Sequence, residues 1–156
     1  MKTKIHVYLR NSINTDEIIP ARYLNTYDEK ELAKHAMEDI DPDFIKKVQN
    51  GDFIVAGEDF GCGSSREHAI WALRGAGVKG IIAKSFSRIF YRNAINNGFL
   101  AIECKEIDGK LKTGDEIMVD LDQGYFTKGE DKYNFSPIPN FVKNIMEKGG
   151  LLNTIE

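Results

Sequence analysis

Apolar residues fall along the chain in two rhythms. Three short runs, Phe53-Ile54-Val55-Ala56, Val78-Lys79-Gly80-Ile81-Ile82-Ala83 and Phe99-Leu100-Ala101-Ile102-Glu103-Cys104, read as buried strands. Between the first two, Ala69-Ile70-Trp71-Ala72-Leu73-Arg74 has helical spacing and stops at Gly75-Ala76-Gly77. Between the last two, Ser87 caps a helix through Ile89, Phe90, Ala94 and Ile95 that ends at Asn97-Gly98. Strand, helix and strand in this order predict parallel strands joined by right-handed crossovers. Upstream, Lys4 to Leu9 alternates weakly as a strand, and Asn11 to Asp16 is rich in turn-forming side chains. Ala21 to Tyr27 reads as a loop, and Leu32, Ala33, Ala36 and Met37 mark a helix over residues 28–39. Asp41-Pro42 opens a further helix that Gly51 ends. His6 reads as a half-buried strand residue and His35 as an exposed helical one.

Beyond Gly109 the rhythm changes. Glu116 to Leu121 alternates, Asp122-Gln123-Gly124 turns, and Tyr125-Phe126-Thr127 returns, which predicts an antiparallel hairpin. Lys132 to Phe135 adds a strand, and Pro137 to Lys148 a helix with Phe141, Val142, Ile145 and Met146 on one face. The expectation is an α/β fold, with a mainly parallel core sheet and an antiparallel C-terminal hairpin, in one domain over residues 1–156.

Composition narrows the choice of partner. The 156 residues carry a net charge of −3, without the basic face that nucleic acid demands. The apolar runs fall well short of the roughly 20 residues needed to cross a bilayer, and no signal peptide precedes them, so no membrane partner and a cytoplasmic location are expected. Cys62 and Cys104 are the only cysteines. With three scattered histidines they cannot supply a tetrahedral zinc site, nor the four thiolates that usually hold an iron–sulfur cluster. No metal site is expected on this chain.

The chemistry concentrates in Gly57-Glu58-Asp59-Phe60-Gly61-Cys62-Gly63-Ser64-Ser65-Arg66-Glu67-His68-Ala69, between a strand and a helix. Ligands of α/β sheets bind at the carboxyl ends of strands, beside the amino end of the next helix. Gly57, Gly61 and Gly63 let the loop backbone, with Cys62 between the last two, take positive φ and approach a ligand closely. Ser64 and Ser65 place hydroxyls and unpaired N–H groups where an anion can bind, and Arg66 can grip a carboxylate with two parallel hydrogen bonds. A bland reading uses the same residues: Ser64 and Glu67 have the spacing of a capping box, serine at the N-cap and glutamate three positions on. Cys62 is either a small filler or a reactive thiol. No P-loop lysine, third dinucleotide-binding glycine or nucleophile elbow is present.

The thirteen-residue run resembles the signature of the swivelling domain of the aconitase superfamily. Asn14-Thr15-Asp16-Glu17-Ile18-Ile19-Pro20-Ala21-Arg22-Tyr23-Leu24 and Phe86-Ser87-Arg88-Ile89-Phe90-Tyr91-Arg92-Asn93-Ala94-Ile95-Asn96-Asn97-Gly98 agree with it. A short chain carrying little else is similar to the separate small subunits of 3-isopropylmalate dehydratases. The resemblance implies a three-layer β/β/α swivelling domain that closes over a hydroxy-di- or tricarboxylate held by a large subunit, which carries a [4Fe-4S] cluster. It implies Ser64 as the base that removes a proton at carbon, and Ser65 and Arg66 as carboxylate ligands. It also implies that the loop Tyr23, Leu24, Asn25 and Thr26 reads the substrate side chain. Apolar residues after Tyr-Leu suit an isopropyl group and a cationic residue suits an extra carboxylate; Asn25 and Thr26 are neither. The leading expectation is isomerisation of isopropylmalate in leucine biosynthesis. Alternatives are a homoaconitase or methylmalate-type dehydratase subunit, and an anion-binding module without catalysis.

Overall fold

The computed structural model describes residues 1–64, 66–138, 140, 143 and 144. Strands form where the apolar runs stand: β1 (Lys2–Tyr8), β2 (Phe53–Ala56), β3 (Gly80–Ala83) and β4 (Leu100–Glu103). They pair in parallel in the order β4-β3-β2-β1, with Ile5 opposite Phe53, Phe53 opposite Gly80, and Gly80 opposite Leu100. The crossovers are α4 (Glu67–Gly75) and α5 (Arg88–Asn96), preceded along the chain by α1 (Thr15–Ile18), α2 (Glu29–Ala33) and α3 (Phe44–Lys47). Beyond β1 the sheet turns antiparallel through β5 (Glu116–Asp120), β6 (Tyr125–Lys128) and β7 (Asp131–Asn134), giving seven strands in all.

Strand side chains alternate between faces, and two cores result. Ile54, Ala56, Ile81 and Ala83 pack under the helices with Ile18, Leu32, Phe44, Ile70 and Leu73. Phe53, Val55, Ile82 and Ile102 meet Ile117, Val119, Phe126 and Tyr133 from the antiparallel half. Helices, parallel strands and antiparallel strands thus form the three layers the β/β/α expectation describes.

Local differences from the sequence pattern have physical causes. The helix expected over 28–39 stops after Ala33, because Met37 takes φ 60° and donates its N–H to Ile18 O at 2.8 Å. The helix expected from Asp41-Pro42 shrinks to α3, since the Asp41 carboxylate accepts from Tyr8 Oη (2.8 Å) and Lys47 Nζ (3.0 Å). The turn at 11–16 contains a capping box: Asn14 accepts from Glu17 N, and the Glu17 side chain accepts from Asn14 N. His6 is fully buried, 2.8 Å from the Asp52 carboxylate, and His35 is half-buried under an aromatic ring. Ser87 caps α5 as its position predicts. The helix expected over 137–148 falls largely outside the described residues, Phe141, Val142, Ile145 and Met146 among them.

Candidate functional site

Three chain segments leave the carboxyl ends of β1, β2 and β3 and pack side by side. Phe60 forms a parallel bridge to Phe86, and Cys62 one to Asn14. Backbone bonds tie the glycine loop on both flanks: Gly61 N to Ile13 O (2.8 Å), Thr15 N to Cys62 O (2.9 Å), Phe60 N to Ser85 O (3.1 Å) and Ser87 N to Phe60 O (2.9 Å). Phe60 is fully buried against Phe86 and Phe90. Gly61 has φ 83°, and a Cβ there would lie 2.3 Å from Phe90 Cγ. Gly63 has φ 97° but open space, with Thr15 Oγ1 nearest at 3.5 Å. Gly61 is therefore required for space and handedness together, Gly63 for handedness alone. Gly57 does not take the expected positive φ and is required for space, since a Cβ there would lie 2.5 Å from Asn11 Oδ1 and 2.7 Å from Arg10 O.

Ser64 follows on the surface. Its carbonyl accepts from Thr15 Oγ1 at 3.0 Å, and its hydroxyl has no hydrogen bond among the described residues. The capping-box reading of Ser64 and Glu67 does not hold, because the N-cap of α4 is Arg66, in extended conformation and without a side-chain cap. Of the first-turn amides of α4, Ala69 N donates to Arg66 O at 3.3 Å, and those of Glu67 and His68 have no partner among the described residues. The Arg66 guanidinium is 19% exposed and donates to Asp16 Oδ1 at 3.3 Å. That same oxygen accepts from Ala21 N at 2.9 Å. The Ala21 N–H, then Arg66, hold the Asp16 carboxyl below its usual range. Ser65 lies outside the described residues.

Asp16 thus joins the glycine loop to the loop expected to read the substrate. That loop opens as a 3-10 turn, Ala21–Tyr23. The Tyr23 ring stacks on His35 with centroids 3.6 Å apart, and its hydroxyl donates to Glu38 Oε2 at 2.7 Å. Arg22 donates to Glu38 (2.9 Å) and Asp39 (3.0 Å). Leu24 packs half-buried on the helical core, Asn25 is exposed, and Thr26 Oγ1 accepts from Asp28 N at 3.1 Å. The structure therefore brings Arg66 beside the start of this loop, with Ser64 on the adjoining one. Asp16 and Glu38, which organise the join, carry no signal in residue spacing. The segment at Asn14 reads from its composition only as a turn; the spacing of Asn14 and Glu17 is the local signal that could have found the capping box they form beside Asp16.

Among the described residues no three of His, Cys, Asp and Glu stand together as a metal site. Cys62 is half-buried in the loop and Cys104 is buried in the opposite core, its Sγ 3.3 Å from Asn134 O. Burial, first of all, raises the pKa of both thiols, which suits filler better than nucleophile. A cavity of about 400 Å³ lies at the other end of the sheet, beside Lys79, Leu100 and Leu121. Ser64 instead stands on open surface, so a second surface is needed to enclose a ligand there.

Residues 2–107 match the family described as the Aconitase C-terminal domain. The chain belongs to that family, whose fold it has. It is 56% identical to the 3-isopropylmalate dehydratase small subunit 2 of Deinococcus radiodurans, over 95% of this chain and 72% of the relative. It is 53% identical to the corresponding small subunit of Brachyspira hyodysenteriae, over 100% and 98% of the two chains. The crystal structure of 3-isopropylmalate dehydratase from Methanocaldococcus jannaschii is similar with a TM-score of 0.90 at 44% identity, covering 99% of this chain and 92% of that one. Within the aconitase-type proteins, the chain belongs to the 3-isopropylmalate dehydratase small subunits, a hydro-lyase family.

Proposed function

We propose that residues 1–156 act as one domain, the small subunit of a two-chain hydro-lyase that interconverts 2- and 3-isopropylmalate in leucine biosynthesis. The observation that carries this reading is the unengaged Ser64 hydroxyl on a loop shaped by Gly61 and Gly63, next to a guanidinium, in a chain of this family. Arg66 binds a substrate carboxylate through its planar pair of donors. Ser64 removes a proton from the carbon beside the one that loses its hydroxyl. The C–H electron pair becomes the alkene bond as the hydroxyl leaves with the C–O pair and is released as water on the large-subunit side. Water then re-adds with the positions exchanged, Ser64 returning its proton to the carbon that lost the hydroxyl. A serine alkoxide is a strong base, and the first-turn amides of α4 together with Arg66 stabilise it once water is excluded. Ser65 adds a hydroxyl to the carboxylate site, and Tyr23, Leu24, Asn25 and Thr26 face the substituent.

The donor set of this chain does not fit an iron–sulfur cluster: Cys62 lies half-buried in the glycine loop, Cys104 is buried in the core on the antiparallel side, and no third donor joins either among the described residues. The cluster that the family implies is assigned to the large subunit, and the steps given to this chain do not pass through it. The same subunit supplies the second surface that Ser64 lacks. No helix among the described residues is long and apolar enough to cross a membrane. A cytoplasmic location is part of the proposal and rests on the soluble enzyme family to which the chain is similar.

Co-expression with the large subunit and an anaerobic assay on isopropylmalate, homoaconitate and methylmalates tests the reading. Isopropylmalate is expected to give the highest kcat/KM. A homoaconitate value tenfold higher would transfer the chain to the homoaconitases, and no turnover of any substrate would return it to an anion-binding module.

A further inference from the structure

The loop that begins at Arg66's partner is held at two points. At its start, Asp16 Oδ1 accepts the Ala21 N–H. One turn later, the two side chains that could fix its path meet at one carboxylate: Arg22 Nη2 lies 2.9 Å and Tyr23 Oη 2.7 Å from Glu38 Oε2, and the same Arg22 nitrogen also reaches Asp39 Oδ1 at 3.0 Å. The other oxygen, Glu38 Oε1, accepts from His35 Nδ1 at 3.0 Å, and the His35 ring lies flat beneath Tyr23, with 4° between the planes. Arg22 lies over the outer face of the same tyrosine, 4.9 Å from its centroid. Tyr23 therefore lies between the His35 ring and the Arg22 guanidinium and is pinned at its hydroxyl. The supporting segment is itself fixed, since Met37 in the left-handed region bonds back to Ile18 O. Hydrogen bonds from His35 and Tyr23, in that order, keep the Glu38 carboxyl below its usual range, as expected for an anion that several donors share.

Resting on the reading of residues 23–26 as the substrate loop, we propose that Glu38 is its positioning residue. Glu38 sets the orientation of the Ala21–Tyr23 turn, and thereby where Leu24, Asn25 and Thr26 stand relative to Arg66. It touches no substrate. A side chain built only for stability would leave recognition untouched, because exposed ion pairs contribute little to folding. A positioning residue changes recognition first.

Two variants of the full chain test this, Glu38→Ala and Glu38→Gln. The first readout needs neither substrate nor large subunit: limited trypsin cleavage after Arg22. Glu38→Ala is expected to be cut about tenfold faster than the native chain at this bond, with other sites unchanged. In the assembled enzyme, Glu38→Ala is expected to raise KM for isopropylmalate roughly tenfold while kcat stays within about twofold. Glu38→Gln, which keeps an acceptor for the Tyr23 hydroxyl, is expected to recover part of both effects. Cleavage and KM both within twofold of native in Glu38→Ala, with only a lower melting temperature, would overturn the proposal. Faster cleavage in an assembly that does not turn over isopropylmalate would uphold the anchor and overturn the substrate reading instead.

Discussion

The glycine loop over residues 57–66 and the substrate loop over residues 20–27 stand side by side, joined through Asp16, yet different forces hold them. The glycine loop is fixed by its main chain: backbone bonds to Ile13, Thr15, Ser85 and Ser87, a buried Phe60, and a glycine pressed on Phe90. The substrate loop is fixed by side chains at the surface, Arg22, Tyr23, His35 and Glu38. Backbone bonds and close packing resist salt, whereas exposed charge pairs weaken with it. On the proposed reading, the group that performs the chemistry is on the rigid loop. On the same reading, the group that chooses the substrate sits on a loop whose hold can be altered one side chain at a time.

The widest contrast comes from Ser64→Ala. Removing a general base costs about 10²–10⁴ in rate, and since Ser64 caps nothing, the melting temperature should not move. A normal kcat with a lowered melting temperature would reverse the contrast and restore the cap. Next come Gly61→Ala and Gly63→Ala, compared by chemical denaturation. Both force a side chain into the left-handed region, at roughly 1–2 kcal/mol, but only Gly61→Ala also collides with Phe90, adding roughly 1–3 kcal/mol. Equal losses would mean that Phe90 yields and the glycine loop is less rigid than its contacts suggest.

Asn25 sharpens the other side of the comparison. Asn25→Val should favour isopropylmalate through apolar contact, about 0.8 kcal/mol per buried CH₂, and Asn25→Arg should favour homoaconitate by pairing its extra carboxylate. A shift of roughly ten- to a hundredfold in relative kcat/KM is expected, at little cost in stability because Asn25 is exposed. A ratio within about twofold in both variants places selection on the large subunit. The smallest effect is acid loosening of the substrate loop. The Glu38 carboxyl, facing Arg22, Tyr23 and His35, is held below its ordinary value. A depressed pKa stabilises above the unfolded value of about 4.3 and loses that contribution as pH falls through the folded one. An NMR titration of the Glu38 carboxylate should therefore show a midpoint below about 4.3, with Tyr23 ring signals moving alongside. A midpoint at or above that value would mean that the donors do not hold the anion.

Strands β2, β3 and β4, the hairpin of β5 and β6, and the cap of α5 were all legible in the sequence, because a buried run or a cap leaves a local periodic trace. The loop residues Ser64 and Arg66 were legible through the resemblance. The short helices were not: α2 ends where Met37 binds Ile18, and α3 shrinks where Asp41 turns to Tyr8, contacts between residues far apart in sequence. Glu38 was invisible for the same reason, as its partners Arg22 and Tyr23 lie on another segment. The true helix start at Arg66 also escaped, since the spacing of Ser64 and Glu67 mimics a cap whose bonds the loop backbone does not make.

β1 pairs in parallel with β2 on one side and antiparallel with β5 on the other. On a growing polypeptide its first neighbour emerges at Phe53, its second only at Glu116, after the whole glycine loop, α4, α5 and β4. Throughout that interval the middle of the future sheet is an open edge, offering unpaired backbone groups to any other chain. Assembly therefore waits on the last part of the sequence to be made, and the pairing that closes it joins residues very distant along the chain, a slow event. Outermost in the finished order, β7 carries exposed Asp131 and Lys132, charges that discourage another strand from adding to it.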